Sequence, residues 1–88
     1  MQVKDGRFAA LEPFLKERLP GVRGFDGALS VTVYFDEATS ELLIVEEWKS
    51  KAHHGAYLEA ITASGVMAEL VSFMTAAPTV TYYARLAI

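Results

Sequence analysis

The sequence predicts a single α+β domain spanning residues 1–88, on three observations. A segment near the amino end has helical periodicity, two later segments alternate at period two across a short polar turn, and a second helical region precedes a β-rich carboxyl end. A chain of 88 residues has room for one core of limited size. At 52% hydrophobic residues it predicts either an apolar surface covered by a second copy or a dense private core.

The first element is an amphipathic helix from Gly6 to Leu19. Pro13 lies inside it, where it either kinks the helix or marks a later start, and Pro20-Gly21 is predicted to end it. Its apolar stripe consists of Phe8, Leu11, Leu15 and Leu19, with Phe14 at its side.

An antiparallel hairpin follows. Residues 29–35 place Leu29, Val31, Val33 and Phe35 on one face of the first strand. A polar turn at 36–40 leads into the second strand, Leu42 to Trp48. Leu43 and Val45 make the opposite face of that strand apolar, so both faces of the hairpin are predicted to be covered.

The remaining chain predicts two helices and a last strand. Ser50 is the expected N-cap of a helix from Lys51 to about Ile61. Ser64 is the expected cap of a further helix that carries Met67, Leu70, Val71 and Met74. The run from Thr79 to Leu86 is rich in β-branched and aromatic residues and predicts a final strand.

Composition excludes several classes of function. The net charge of −3 and the absence of a Lys/Arg cluster argue against a nucleic-acid binder. Without cysteine there is no disulfide and no thiolate nucleophile or metal ligand. Residues 1–5 lack the apolar run of a signal peptide, and no stretch reaches the roughly 18 apolar residues of a membrane span. We therefore expect a cytoplasmic protein.

The order of these elements resembles the antibiotic biosynthesis monooxygenase (ABM) family over nearly the whole chain. The resemblance rests on Pro20-Gly21, the hairpin, the final strand and the segment Val45-Glu46-Glu47-Trp48-Lys49-Ser50-Lys51-Ala52. The most specific part is an acidic residue, any residue and Trp48 at a strand end, followed directly by a capped helix.

The resemblance implies a ferredoxin-like βαββαβ subunit whose antiparallel sheet packs against that of a second copy in a homodimeric α+β barrel. Each subunit would keep a pocket between its sheet and its helices. Some family members are monooxygenases that need no cofactor and act on polycyclic aromatic or quinol substrates; related members degrade haem, and others isomerise small phosphorylated sugars. Fold alone does not decide among these activities.

Two departures from the family pattern are visible. Only Met1 to Lys4 precede the first helix, so the first strand, central in such a sheet, is short or truncated. Tyr57 stands nine residues after Trp48, where many members carry a histidine. Haem degradation is disfavoured because the chain has no asparagine and has Met67 where that branch has its histidine.

Four residues are predicted to be catalytic, each with an ordinary structural alternative: Trp48, Glu46, Tyr82 and His54. Trp48 shares strand parity with Glu46, and a carboxylate on a covered face needs a partner, Arg85 or a histidine, or else is a functional acid. His54 lies on the apolar stripe of its helix and faces inward, whereas the adjacent His53 points about 100° away toward solvent. Core packing, a partly buried histidine and β-propensity are the alternatives.

Substrate-binding roles are predicted for Tyr57, Phe35 and Arg85, although Arg85 also suits a plain salt bridge. No metal site is expected, because the two histidines are adjacent instead of spaced i, i+4. The resulting hypothesis is cofactor-independent oxidation of a small aromatic or quinol-like substrate. Its alternative is a dimeric ligand-binding or regulatory module that kept the fold without the chemistry.

Overall fold

The computed structural model describes all residues, Met1–Ile88, as an α+β fold of three helices and a two-stranded antiparallel sheet. The elements in chain order are α1 (Phe8–Arg23), β1 (Ala28–Asp36), β2 (Glu41–Trp48), α2 (Lys51–Ala63) and α3 (Val66–Ser72). The arrangement agrees with a ferredoxin-like subunit with shortened strands. None of the three helices combines the length and apolar character needed to cross a bilayer.

Helix α1 runs through both of its prolines. It continues to Arg23, so the prediction that Pro20-Gly21 ends it is wrong. Pro13 and Pro20 lie on the exposed side of the helix. The carbonyl groups that lose their amide partner to a proline therefore lie near water, which reduces the usual cost of about 3 kcal/mol for an internal proline.

The hairpin pairs β1 with β2 in a register that sets Val33 opposite Ile44 and Phe35 opposite Leu42. Helices α1 and α2 pack on one face of this hairpin, where Leu42 is fully buried. The other face is open: Leu43 there is 56% exposed. No helix of the chain crosses this second face, so its predicted cover by a second copy stays a prediction.

The first strand is reduced to residues 1–3, which lie between β2 and the segment after α3. The main chain of Met1 pairs with Leu42 on one side, through contacts of 2.7 and 2.8 Å. Gln2 accepts a hydrogen bond from the Thr75 amide on the other side, at 2.9 Å. The predicted short, central first strand is confirmed, and the buried side chain of Val3 joins it to the core formed by Val3, Leu11, Leu15, Leu42 and Met74.

The last quarter of the chain differs from the prediction in two places. Gly65, with φ +86°, precedes α3 in place of Ser64, whose hydroxyl instead bonds the Ile61 carbonyl at the end of α2. Residues 79–86 form no strand, and no backbone hydrogen bond joins residues 77–88 to the rest of the chain. A strand there needs a neighbour in the middle of the sheet, and the short first strand does not extend that far.

Candidate functional site

A cavity of about 960 Å³ lies between β2 and the carboxyl-terminal segment. We call it the β2 cleft. Its walls are residues 43–48 of β2 and 78–85 of the terminal segment, and Met1 lies at one end. Ser50, Lys51 and His54 from the start of α2 complete the lining. The four residues predicted to be catalytic, Glu46, Trp48, His54 and Tyr82, meet here.

Glu46 and Trp48 reach the cleft together because they lie two residues apart on one strand face. The indole Nε1 of Trp48 donates a hydrogen bond to Glu46 Oε1 at 2.9 Å. Glu46 therefore has one of the hydrogen-bond partners that a carboxylate on a covered face needs. Arg85, predicted as an alternative partner, instead bonds the neighbouring carboxylate of Glu47 at 2.9 Å.

His54 reaches the cleft because α2 begins where it does. The Ser50 side chain accepts a hydrogen bond from the His53 amide and caps the helix, as predicted. This start turns His54 inward, where it is 7% exposed and is the one buried residue of α2. The predicted inward orientation of His54 is confirmed, while His53 stays partly exposed against Gly27, with its Nδ1 at 2.5 Å from Ser50 Oγ.

Both imidazole nitrogens of His54 have a polar neighbour. Nδ1 lies 2.7 Å from the Tyr82 hydroxyl, and Nε2 lies 3.9 Å from Glu46 Oε1. When Tyr82 donates to Nδ1, the neutral ring carries its proton on Nε2, toward the carboxylate. Tyr82, His54 and Glu46 therefore form a path along which a proton taken at the phenol oxygen can be held by the ring and stabilised by the acid.

Aromatic rings pack against His54 and against one another beside these three residues. Trp48 lies 5.3 Å from the His54 ring and 5.4 Å from the Tyr57 ring, and Phe25 meets Tyr57 edge to face at 5.3 Å. Burial raises the pKa of Tyr57 to about 12, and the negative charge of Glu46 adds to the effect. Tyr57, predicted to bind substrate, does not line the cleft but packs against Trp48.

Two members of this cluster were not predicted from the sequence. Phe25 stands alone between glycines in the loop before β1, and its only signal is that one large aromatic interrupts a Gly-rich run. The ammonium group of Lys51 lies 4.6 Å from the centre of the Tyr82 ring. A cation at this distance attracts the ring face, and it helps to hold the terminal segment over the cleft.

Two predicted substrate-binding residues lie elsewhere. Phe35 stacks on Phe8 with 3.8 Å between ring centres, at the other end of the hairpin from Trp48. Arg85 borders the cleft, but its side chain is 86% exposed and is bound to Glu47. Strand parity placed Phe35 on the correct face without showing which end of that face forms the pocket. No group of three or more His, Asp or Glu side chains is arranged to hold a metal ion.

Comparison with known proteins gives one match. A family model described as "Antibiotic biosynthesis monooxygenase" matches residues 1–63, which include the hairpin, Glu46, Trp48 and His54. The match stops at the end of α2, before Tyr82. Neither a curated protein nor a solved structure matches the chain.

Proposed function

This chain belongs to the antibiotic biosynthesis monooxygenase family, and from that premise we propose that it oxidises a small aromatic or quinol-like substrate in the β2 cleft with O₂ and no cofactor. The observation that carries the proposal is the hydrogen bond between the Tyr82 hydroxyl and His54 Nδ1, with the Glu46 carboxylate 3.9 Å from the other ring nitrogen. An electron-rich substrate reduces O₂ by itself once it has lost a proton, so the protein has to supply a base and an anion-stabilising site.

Proton removal is the step in which the chain's own residues act. The substrate passes a proton from an acidic C–H or O–H to the Tyr82 oxygen while the phenol proton moves to His54 Nδ1, 2.7 Å away. The imidazolium that forms lies 3.9 Å from Glu46 Oε1. At that separation opposite charges attract by about 4 kcal/mol for an effective dielectric constant of about 20. Tyr82 contacts the substrate, His54 holds the proton, and Glu46 stabilises the charged ring.

The oxidation balances for an anthrone-like methylene group. The carbanion gives one electron to O₂, and the resulting radical and superoxide join through a new C–O bond. The imidazolium returns its proton to make a hydroperoxide. Loss of water then breaks the O–O bond and the remaining C–H bond, which leaves a carbonyl group. One oxygen atom enters the product and the other leaves as water, so the four electrons lost by carbon reduce one O₂.

Trp48 is proposed as the surface on which the aromatic substrate lies. Its indole borders the cleft and is held by the hydrogen bond to Glu46 and by the Phe25 and Tyr57 rings at 6.2 and 5.4 Å. A ring fixed from behind in this way orients a flat substrate by offset or edge-to-face contact, worth about 0.5–1.5 kcal/mol beyond its buried area.

The open hairpin face supports a homodimer through sheet-to-sheet packing. Tyr34, Leu43 and Val45 form an apolar strip on that face, and each is about half exposed in the single chain. Strips of this kind on a small domain favour association with a matching surface, and a twofold dimer pairs the strip with itself. Leu43→Lys would then give monomers by light scattering, whereas an unchanged dimer would place the interface elsewhere.

O₂ consumption with anthrone and a set of hydroquinones tests the proposed oxidation. We expect uptake above autoxidation, with a fall of about 10²-fold or more in Tyr82→Phe and in His54→Ala. Tyr83→Phe is the matched control, because that neighbouring side chain is 89% exposed. With ¹⁸O₂, one labelled atom should enter the product. Uptake at the autoxidation rate with every substrate would contradict the proposal and favour a ligand-binding module.

A further inference from the structure

The β2 cleft contains one basic side chain that no acidic side chain neutralises. Two lysine or arginine side chains, Lys51 and Arg85, border the cleft. Arg85 lies 2.9 Å from the Glu47 carboxylate, so these two charges balance each other. Lys51 forms no salt bridge with any residue of the chain. Its ammonium group is therefore free to meet an anion that enters the cleft.

The other acid of the cleft is already engaged. Glu46 Oε1 accepts a hydrogen bond from the Trp48 indole at 2.9 Å and lies 3.9 Å from His54 Nε2. A carboxylate on a covered face needs donors of this kind, and turning Glu46 toward Lys51 would remove both contacts. The chain thus separates the two charges: the acid lies on β2, and the lysine lies at the start of α2.

Lys51 lies beside the group that is proposed to take the substrate proton. Its Nζ is 4.6 Å from the centre of the Tyr82 ring. Ser50 caps α2, and Lys51 is the first residue of that helix, so the backbone that carries the lysine is fixed at this end of the cleft. An ammonium group has three N–H donors, so it can donate to a carboxylate while it remains over the ring face.

We propose that Lys51 is a specificity-determining residue that binds an anionic group of the substrate, so the β2 cleft takes an aromatic or quinol-like molecule that carries a carboxylate. This inference rests on the proposed function, because it names the substrate class of the same cleft. The carboxylate binds at the α2 end, where Lys51 attracts it, and away from Glu46, which repels it. Charge-assisted hydrogen bonds of this kind are stronger than neutral ones and fix orientation as well as affinity.

The same contacts predict where the carboxylate stands on the substrate ring. The ammonium group lies over the ring of Tyr82, and the hydroxyl of that ring is the proposed proton acceptor. The reacting hydroxyl of the substrate therefore lies close to its carboxylate, on neighbouring carbons. A carboxylate across the ring, in the para position, would point away from Lys51 when the hydroxyl meets Tyr82.

Isothermal titration calorimetry with compounds that resist oxidation tests the inference. Salicylate carries a carboxylate beside its hydroxyl, salicylamide is its uncharged counterpart, and para-hydroxybenzoate has the carboxylate across the ring. Salicylate should bind about tenfold more tightly than either comparison compound, as expected for one charge-assisted contact at an exposed lysine. Equal affinity for salicylate and either comparison compound would overturn the proposal.

Two substitutions and a matched control assign the effect to Lys51. In Lys51→Met the ratio of the salicylate and salicylamide affinities should fall from about ten to about one, and Lys51→Arg should restore most of it. Lys49→Met removes the same charge from an exposed lysine outside the cleft and should leave the ratio unchanged. A purely structural role of Lys51 would change both affinities alike, so a ratio that persists in Lys51→Met would overturn the proposal.

Oxidation separates this inference from the function on which it rests. Gentisate is a hydroquinone with a carboxylate beside one hydroxyl, and its KM for O₂ uptake should rise about tenfold in Lys51→Met, with kcat changed less. A chain that oxidises hydroquinone and gentisate with equal KM would support the proposed function and overturn the carboxylate subsite. A chain that oxidises neither, yet binds salicylate through Lys51, would support the subsite in a ligand-binding module and overturn the oxidation.

Discussion

Removing the Tyr82 hydroxyl tests how the carboxyl-terminal segment is held. Residues 77–88 have no backbone hydrogen bond to the rest of the chain. The segment is attached by the Tyr82 bond to His54 at 2.7 Å, by Lys51 over the Tyr82 ring at 4.6 Å, and by Arg85 with Glu47 at 2.9 Å. The first of these is the most buried, because the His54 imidazole beneath it is nearly inaccessible.

The size of the effect follows from these contacts. Tyr82→Phe keeps the ring and its cation contact, worth about 0.5–1 kcal/mol at an exposed site. It removes one hydrogen bond and leaves His54 Nδ1 without a partner, which together cost about 1–3 kcal/mol. The exposed pair of Arg85 and Glu47 adds only about 0.2–1 kcal/mol. The remaining contacts are each weak, so we expect a loss of about 1–3 kcal/mol and a terminal segment that is less ordered.

Urea unfolding followed by Trp48 fluorescence measures this loss, and NMR order parameters over residues 79–86 should fall below about 0.6. Tyr83→Phe is the control and should stay within about 0.5 kcal/mol of the parent chain, because Tyr83 is exposed. Equal losses in the two variants, or a Tyr82→Phe chain with an ordered terminal segment, would refute the reasoning.

Three further predictions concern the core and the loops. Burial and the neighbouring Glu46 carboxylate raise the pKa of Tyr57 from 10.0 to about 12, so the folded chain favours the protonated phenol. The contribution of this group to the free energy of unfolding is complete below pH 10 and is lost between pH 10 and 12. The stability difference from Tyr57→Phe should therefore shrink by about 1–2 kcal/mol over that range in urea titrations, and a constant difference would contradict it. Gly27→Ala should cost at least about 2 kcal/mol by thermal unfolding, because φ is +89° and a Cβ would lie 2.4 Å from a histidine ring. Gly55→Ala, inside α2 with open space around it, should instead gain about 0.5–1 kcal/mol, and the same sign for both would be inconsistent with this geometry. Leu42→Ala should cost about 2–5 kcal/mol in urea, whereas Leu43→Ala should cost less than about 1 kcal/mol in the monomer; comparable losses would mean that the two faces are not as different as their burial indicates.

Local patterns were sufficient for the hairpin and for the start of α2. Alternation of apolar residues specifies which strand face is buried, and a serine hydroxyl before a helix satisfies an otherwise free amide whatever lies further away. Hence the sequence predicted the pairing of β1 with β2 and the cap at Ser50. The same strand parity and helix stripe predicted that Glu46, Trp48 and His54 lie together, and they line one cavity.

Predictions that depend on a distant partner were less successful. Pro20 was expected to end α1, but a proline on an exposed helix face leaves its free carbonyl near water, and exposure is a tertiary property. Residues 79–86 have strand propensity but no strand, because a strand exists only when a neighbour supplies its hydrogen bonds. The sequence also could not show that Phe35 stacks on Phe8 away from the cleft.

The sequence by itself therefore determined the type of each element before residue 74, the apolar face of the hairpin, the family, and the four residues predicted to be catalytic that meet in the cleft. Only the tertiary structure decided that His54 lies between Tyr82 and Glu46. The physical reason is the distance along the chain over which each interaction acts. Helix caps and strand parity act over a few neighbouring residues, whereas the Tyr82 contact joins side chains 28 positions apart and exists only because the chain folds back across β2.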